Sequence, residues 1–291
     1  AHLARLAKLE PVLNAFQIVD DAGALAAARA SEARWRSGTA LGKMDGAPAT
    51  IKDNVDMAGF PTRSGSTTTP EAVAAGDAPV VARLRKAGAV FLGKTTTPEF
   101  GWKGITDSTL RGEATRNPWN AAHSSGGSSG GASAAVVSGI GTIAFGNDGG
   151  GSIRIPAAFC GAFGIKPSFG RVPHHPLESP FATVVAGGPI TRSVQDAATT
   201  LAVMARPDER DWYSIPPPPS RWLADLVPKV AGVRFAWSPD LGGAKPDDEV
   251  MAVLAPALAM LRRAGAAVES VGPVIDPLKP VFTDFWLADF A

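Results

Sequence analysis

Two glycine-rich runs hold the residues best suited to chemistry: Gly126-Gly127-Ser128-Ser129-Gly130-Gly131 and Asn147-Asp148-Gly149-Gly150-Gly151-Ser152. Glycine in runs weakens helices and strands. A folded chain carries such runs where its backbone approaches something closely or takes positive φ. Each run here ends where an apolar helical pattern begins. Bare backbone N–H groups at such a place can bind an anion or an oxyanion, and the serines beside them are candidate nucleophiles. A third group is Lys52, which closes an apolar segment and precedes Asp53-Asn54. Alone, such a lysine reads as solvated or ion-paired. The two serine loops change that reading.

The elements that must position these residues alternate in type. The segment 21–37 is Ala-rich with spaced charges, and Gly38 can end its helix. Ala47 to Lys52 reads as a short strand. Asp77-Ala78-Pro79 starts a helix whose apolar residues Val80, Val81, Leu84 and Ala87 recur at helical spacing, with Gly88 as the stop. Ala89-Val90-Phe91-Leu92 is a buried strand. Residues 126–131 lead into a small-residue helix, Ala132 to Val137, and Thr142 to Phe145 is another buried strand. Ser152 opens a further helical turn. Ser193-Val194-Gln195-Asp196 has capping-box spacing before Ala197 to Met204. A strand near Val233 to Trp237, a helix from Asp247 to Arg263 that Pro256 can kink, and a strand near Ala266 to Val271 add one more unit. Strands alternating with helices define an α/β fold. Residues 206–220, with Pro216 to Pro219, read as a stiff surface connector.

The bulk properties exclude several classes. The chain has 291 residues, 45% hydrophobic, with 28 Lys plus Arg against 27 Asp plus Glu. That balance gives no electrostatic footprint for nucleic acid or anionic lipid. Charge-free stretches are broken by Gly, Pro, Ser and Asn, so no membrane span is expected. The charged, helical start, Ala1-His2-Leu3-Ala4-Arg5, does not resemble a signal peptide, and a cytoplasmic location follows as the expectation. It also lacks an initiating Met. One cysteine, Cys160, rules out an intrachain disulfide and Cys-rich metal sites; it reads as a buried small hydrophobe. The four histidines have no metal-site spacing, so no metal or cofactor is expected.

Two familiar patterns match only on paper. Gly88 to Thr95 fits the phosphate-binding spacing G-x-x-x-x-G-K-T, but its middle residues Ala, Val, Phe and Leu want to be the strand itself. Gly126-Gly127-Ser128-Ser129-Gly130 fits the nucleophile elbow G-x-S-x-G, which needs an apolar strand before it. Here Arg116 to His123 reads as a loop.

Taken together, Lys52 and both serine loops resemble the amidase signature family. Asp45-Gly46-Ala47-Pro48-Ala49-Thr50-Ile51-Lys52-Asp53-Asn54 resembles its lysine motif, and Gly126 to Gly131 with Asp148 to Ala157 resembles its serine segment. Leu92-Gly93-Lys94-Thr95, Asn117-Pro118-Trp119-Asn120, Phe159-Cys160-Gly161 and Gly188-Pro189-Ile190-Thr191-Arg192-Ser193 also resemble family positions. Ser128 and Ser152 lie 24 positions apart, the family's spacing. The likeness runs from about Leu41 to Asp211. Ser125 stands where the family usually has proline, and the chain stops at Ala291 where relatives usually continue.

The resemblance implies a central mixed sheet flanked by helices on both faces, as one amidase-type domain over residues 1–291 lacking part of the family's C-terminal region. It implies Ser152 as nucleophile, Ser128 as bridging serine after a cis peptide, and Lys52 as base. Gly149, Gly150, Gly151 and Ser152 would supply oxyanion N–H groups, with Ser129 beside them. An amide carbonyl is a poor electrophile, so the serine must be activated. A lysine can do this only when neutral, against a reference pKa of about 10.4, which requires burial and no carboxylate partner. Lys52 Nζ is therefore expected to be buried, bonded to serine oxygens and not paired with Asp53. Asp148 is expected to pin its loop, and Arg154 to make a structural ion pair.

The implied activity is hydrolysis of a small-molecule amide to acid plus ammonia or amine through an acyl-Ser152 intermediate. Two alternatives stay open: a glutamyl-tRNA(Gln) amidotransferase A-like subunit that needs partners, and an inactive binding relative. Phe169-Gly170-Arg171-Val172-Pro173-His174-His175-Pro176 resembles stand-alone amidases more than the amidotransferase. Trp102 and Phe181 are candidate pocket walls, though either reads more readily as core. The oligomeric state, a homodimer included, stays open.

Overall fold

The computed structural model of the chain describes residues 1–177, 183–216, 226, 229–243, 245–275 and 278–290. It divides into two compact units, Ala1–Leu223 and Ala224–Ala291. In the first unit the elements are α1 (His2–Leu13), β1 (Phe16–Val19), α2 (Asp21–Arg36), β2 (Pro48–Lys52), α3 (Pro79–Lys86), β3 (Val90–Thr95), β4 (Arg116–Asn117), β5 (Asn120–Ser124), α4 (Gly130–Val137), β6 (Ile143–Asp148), α5 (Arg154–Cys160), β7 (Phe163–Gly164), β8 (Ala186–Thr191) and α6 (Val194–Met204). In the second, β9 (Arg234–Trp237) and β10 (Ala267–Ser270) pair in parallel through α7 (Asp248–Arg263), and α8 (Lys279–Phe290) follows.

Six strands form the main sheet in the order β1-β3-β2-β6-β8-β7. Strands β3, β2 and β6 run parallel, whereas β1, β8 and β7 are antiparallel to their neighbours, so the sheet is mixed. Alternating side chains on these strands feed two faces. On one, Ala49, Ile51, Phe91, Ile143 and Phe145 pack with Val80, Val81 and Leu84 of α3 and Leu201 and Met204 of α6. On the other, Val90 and Leu92 pack with Leu6 and Leu13 of α1, Ala24 of α2 and Ala134 and Ala135 of α4. Ala144 and Ile190 meet Ala132 and Val136 there. The helices thus flank the sheet on both faces.

Local chemistry sets the element ends. Asp20 caps α2 by accepting the Gly23 N–H, Pro79 opens α3, and Ser193 caps α6 by accepting the Asp196 N–H. Because β2, β3 and β6 are parallel, Lys52, Thr95 and Asp148 end at the same edge of the sheet. Ligands gather at that edge of parallel strands.

Three elements differ from the sequence reading. Residues 116–124 are a two-stranded hairpin, not a loop; β5 is largely exposed and pairs only with β4, so no hydrophobic alternation marks it. Strand β8 opens Ala-Gly-Gly-Pro because its neighbours leave no space: a Cβ on Gly187 would lie 2.7 Å from the Phe145 ring, and one on Gly188 2.1 Å from the Ile165 carbonyl oxygen. Strand β1 is four residues long, too short to announce itself. Within the expected connector, residues 206–216 form turns, while 217–220 lie outside the described residues.

Candidate active site

The last residue of β2 is Lys52, whose side chain is fully buried. Its Nζ donates to Ser128 Oγ at 2.6 Å and to Asn147 Oδ1 at 2.5 Å. The expectation of a buried amine bonded to serine agrees with this geometry for Ser128; the second partner is an amide oxygen from β6. The neighbouring Asp53 carboxylate lies 2.9 Å from Lys94 Nζ.

Ser128 and Ser129 form the turn into α4, and the Gly127–Ser128 peptide is cis. The loop is fixed from both sides. Thr106 Oγ1 donates to the Gly126 carbonyl at 2.8 Å and accepts the Gly130 N–H at 3.0 Å. The Ser129 N–H donates to the Ser152 carbonyl at 3.1 Å, which joins the two serine loops. Ser129 Oγ donates to the Asn147 carbonyl at 3.3 Å. Gly146 lets this happen: a Cβ there would sit 2.6 Å from Ser129 Oγ.

The loop between β6 and α5 carries Gly149, Gly150, Gly151 and Ser152. Asp148, fully buried, holds it from within. Its carboxylate accepts the N–H groups of Gly151 at 2.8 Å, Ile153 at 3.1 Å and Arg154 at 3.3 Å. It also accepts both guanidinium contacts of Arg154 at 2.9 Å. Burial works to raise the Asp148 pKa, but Arg154 and the backbone donors outweigh it, and the carboxyl ends below its ordinary value. Loop-pinning by Asp148 and an ion pair at Arg154 agree with the reading from sequence.

One expected donor is used differently. The Gly151 N–H is spent on Asp148, because that carboxylate lies inside the turn. Among the described residues, the N–H groups of Gly149, Gly150 and Ser152 have no acceptor. Gly150 is exposed and Gly149 half-buried, while Ser152 is buried at the inner end. Three donors with no acceptor among the described residues, on one short turn, are free to bind an anion. The Ser152 hydroxyl makes no hydrogen bond among the described residues.

Three contributors carry no signal in the sequence. Asn147 reads there only as part of a glycine-rich run, Thr106 lies in a segment without a motif, and Gly101 marks no pattern. A Cβ on Gly101 would lie 3.3 Å from Ser128 Oγ and 3.6 Å from Lys52 Nζ, so its backbone forms one wall of the site. Asn147 and Asn54 also border a cavity with apolar walls from Val55, Val80, Phe145 and Val172. Trp102 is 50% exposed and so is not core, and Phe181 lies outside the described residues. Among the described residues, no group of three His, Cys, Asp or Glu side chains could hold a metal, and no helix is long and apolar enough to cross a membrane.

The chain is similar to known proteins over its whole length. The family model described as Amidase matches residues 1–291. An acylamidase from Rhodococcus erythropolis is 41% identical over 292 residues, covering 100% of this chain and 61% of that protein. An indoleacetamide hydrolase from Bradyrhizobium diazoefficiens is 42% identical over 281 residues, covering 93% of this chain and 52% of that protein. The crystal structure of a bacterial aryl acylamidase of the amidase signature enzymes superposes with a TM-score of 0.90 at 33% identity, over 98% of this chain and 59% of that one. The chain spans between about half and three fifths of the length of these relatives.

Proposed function

The chain belongs to the amidase family, and from that premise we propose that it carries the catalytic centre of an amide hydrolase working through an acyl-Ser152 intermediate. Lys52, Ser128 and Ser152 act in series. Complete burial disfavours the charged form of an amine, so Lys52 serves as the base. A hydroxyl both donates and accepts, so the 2.6 Å contact between Lys52 and Ser128 can carry a proton in either direction.

As Ser152 Oγ attacks the amide carbon, its proton passes to Ser128 Oγ while the Ser128 proton passes to Lys52. The carbonyl π-pair moves onto oxygen, and the N–H groups of Gly149, Gly150 and Ser152 hold the charge. Gly151 shapes the turn from which they point, and Ser129 fixes it to Asn147. The oxyanion then collapses, the C–N bond breaks, and Lys52 returns its proton through Ser128 to the leaving nitrogen. Water repeats the sequence on the ester. Each step is supplied by groups of the chain itself, so the reaction needs no metal or cofactor.

The observation that carries this reading is the direct bond from Lys52 to Ser128, beside a turn with three unspent N–H groups. The cavity next to Asn147 has Val55, Val80, Phe145 and Val172 in its walls, with Asp56, Thr62, His174 and His175 at polar positions, so it offers apolar surface for an alkyl or aryl acyl group. The relatives named acylamidase, indoleacetamide hydrolase and aryl acylamidase point the same way. We therefore take the substrate to be a small apolar amide. The near-neutral charge balance accords with a protein that has no nucleic-acid partner. The test is a fluorophosphonate probe followed by peptide mapping, together with amine release from a panel of alkyl, aryl and glutamine amides. Label on Ser152 and turnover of apolar amides support the proposal. Absence of label, or turnover of glutamine alone, rejects it.

A further inference from the structure

We propose that Lys94 tunes the base from the adjacent strand: by holding the buried Asp53 carboxylate, it keeps that negative charge from stabilising Lys52 as an ammonium. The inference rests on Lys52 acting as the base. It gives a task to a lysine that the reaction does not touch.

Lys52, Asp53 and Lys94 are all fully buried. Lys52 and Asp53 are chain neighbours at the end of β2, and Lys94 on β3 stands opposite Ile51 in the parallel register. A carboxylate with no cation of its own on the residue next to a buried amine favours the charged amine, which is the form that cannot take a proton. Lys94 is fixed where it can offset this. Its Nζ donates to the Pro61 carbonyl at 2.7 Å and to Thr62 Oγ1 at 2.9 Å, and holds Asp53 Oδ1 as an ion pair at 2.9 Å. The Asp53 carboxylate thus has a cation of its own on the neighbouring strand.

The surrounding charges leave the task to Lys94. On the loop after β2, the Arg63 backbone N–H also donates to Asp53 while its guanidinium acts as a more distant charge, Asp56 acts on Lys94 as a charge, and Thr62 donates to Asp56 at 2.8 Å. Across the site, Asp148 is taken up by Arg154, and Glu99 accepts the Ser66 hydroxyl at 2.6 Å. Burial pushes the Asp53 carboxyl up and the Lys94 amine down, and each partner pulls the other back toward its charged form. A purely structural role, tying the loop after β2 to β3, would place the same atoms together. It would not couple their charges to the ionisation of Lys52.

The discriminating measurement is the pH dependence of Ser152 inactivation by a fluorophosphonate, with circular dichroism as the folding control. In Lys94→Met the Asp53 charge is unmasked, and the acid limb should move up by about one pH unit, the size expected for a charge several ångströms away in a partly polar interior. Adding Asp53→Asn should return the limb to its wild-type position, and Lys94→Arg should leave it there. If Lys94→Met does not fold, Asp53→Asn alone decides, with the limb expected to move down. A limb that stays put in a folded Lys94→Met or Asp53→Asn protein overturns the inference. So does a shift in Lys94→Met that survives in the double variant. Wild-type protein that takes no label at Ser152 refutes the hydrolase reading instead, so the two failures are distinct.

Discussion

Lys52 and Ser128 stand 76 residues apart in sequence, yet their side chains meet at 2.6 Å. Two rigid placements bring them together. Lys52 is the final residue of the central parallel strand β2, and Ser128 sits in the turn that starts α4. Neither can drift far, because Lys52 is also held by Asn147 and the serine turn by Thr106. The Lys52–Ser128 half of the proposed relay is therefore set by the fold and not assembled by the substrate.

If Ser152 is the nucleophile, Ser152→Ala should lower turnover by at least about 10⁴-fold and abolish fluorophosphonate labelling while the far-ultraviolet spectrum stays that of the wild type. Ser128→Ala breaks the relay without removing the nucleophile. It should likewise cost orders of magnitude, and labelling should slow but still map to Ser152. Full activity in either variant defeats the assignment.

Asn147 offers Lys52 an amide oxygen at 2.5 Å, and an amide cannot take the amine's proton at working pH. Its task is to aim the amine at Ser128. Asn147→Leu keeps the volume and removes the acceptor. Losing one hydrogen bond to such a group should reduce kcat/KM by about 10- to 100-fold. Asn147→Asp should be worse, because it places a carboxylate on the base and favours the ammonium. Steady-state kinetics of both variants on one apolar amide checks the order.

Cys160 is fully buried, with its Sγ against the Ser125 carbonyl oxygen, and burial pushes its thiol up to about 11. The thiolate is the reactive form, and at pH 8 only about one thiol in a thousand would carry it. Iodoacetamide should therefore leave the folded protein unmodified under conditions that alkylate it fully in guanidinium chloride. Rapid alkylation of native protein would place Cys160 elsewhere than in the core.

What is legible in the sequence follows from how each feature is encoded. Strands β2, β3 and β6 are runs of apolar residues with a clear start and stop, and they appear within a few residues of their expected bounds. The serine loops are legible because glycine is costly anywhere else. By contrast β8 is hidden by its own crowding: small residues sit where Phe145 and Ile165 press against the backbone, so no β-branched run marks the strand. Asn147 and Thr106 act through contacts with residues distant in sequence, and such contacts leave no period or spacing to read. The use of Gly151 is a matter of which way one N–H points, which the run of three glycines leaves open.

Asp148 links the stability of the fold to the geometry of the turn that carries Gly149, Gly150 and Ser152, and this makes acid a selective probe. Its folded pKa lies below the ordinary carboxylate value, so the stability it contributes is complete above the unfolded pKa, near 4, and is lost as pH falls through the folded value. Wild-type protein should thus lose stability progressively below about pH 4. Asp148→Asn removes the charge that gathers three backbone donors and Arg154. Because Arg154 is 55% exposed, its release into water costs little, and the loss comes mainly from the buried backbone donors. A destabilisation of about 1–3 kcal/mol at pH 7 follows. Urea midpoints at a series of pH values should show the wild-type and Asp148→Asn curves converging toward acid, since protonated Asp148 has already lost what the substitution removes. Activity at pH 7 should also fall, because a loosened turn no longer fixes the N–H groups of Gly149, Gly150 and Ser152 that are proposed to hold the oxyanion. Parallel curves across the acid range would mean that Asp148 contributes shape alone and that its charge does not organise the loop.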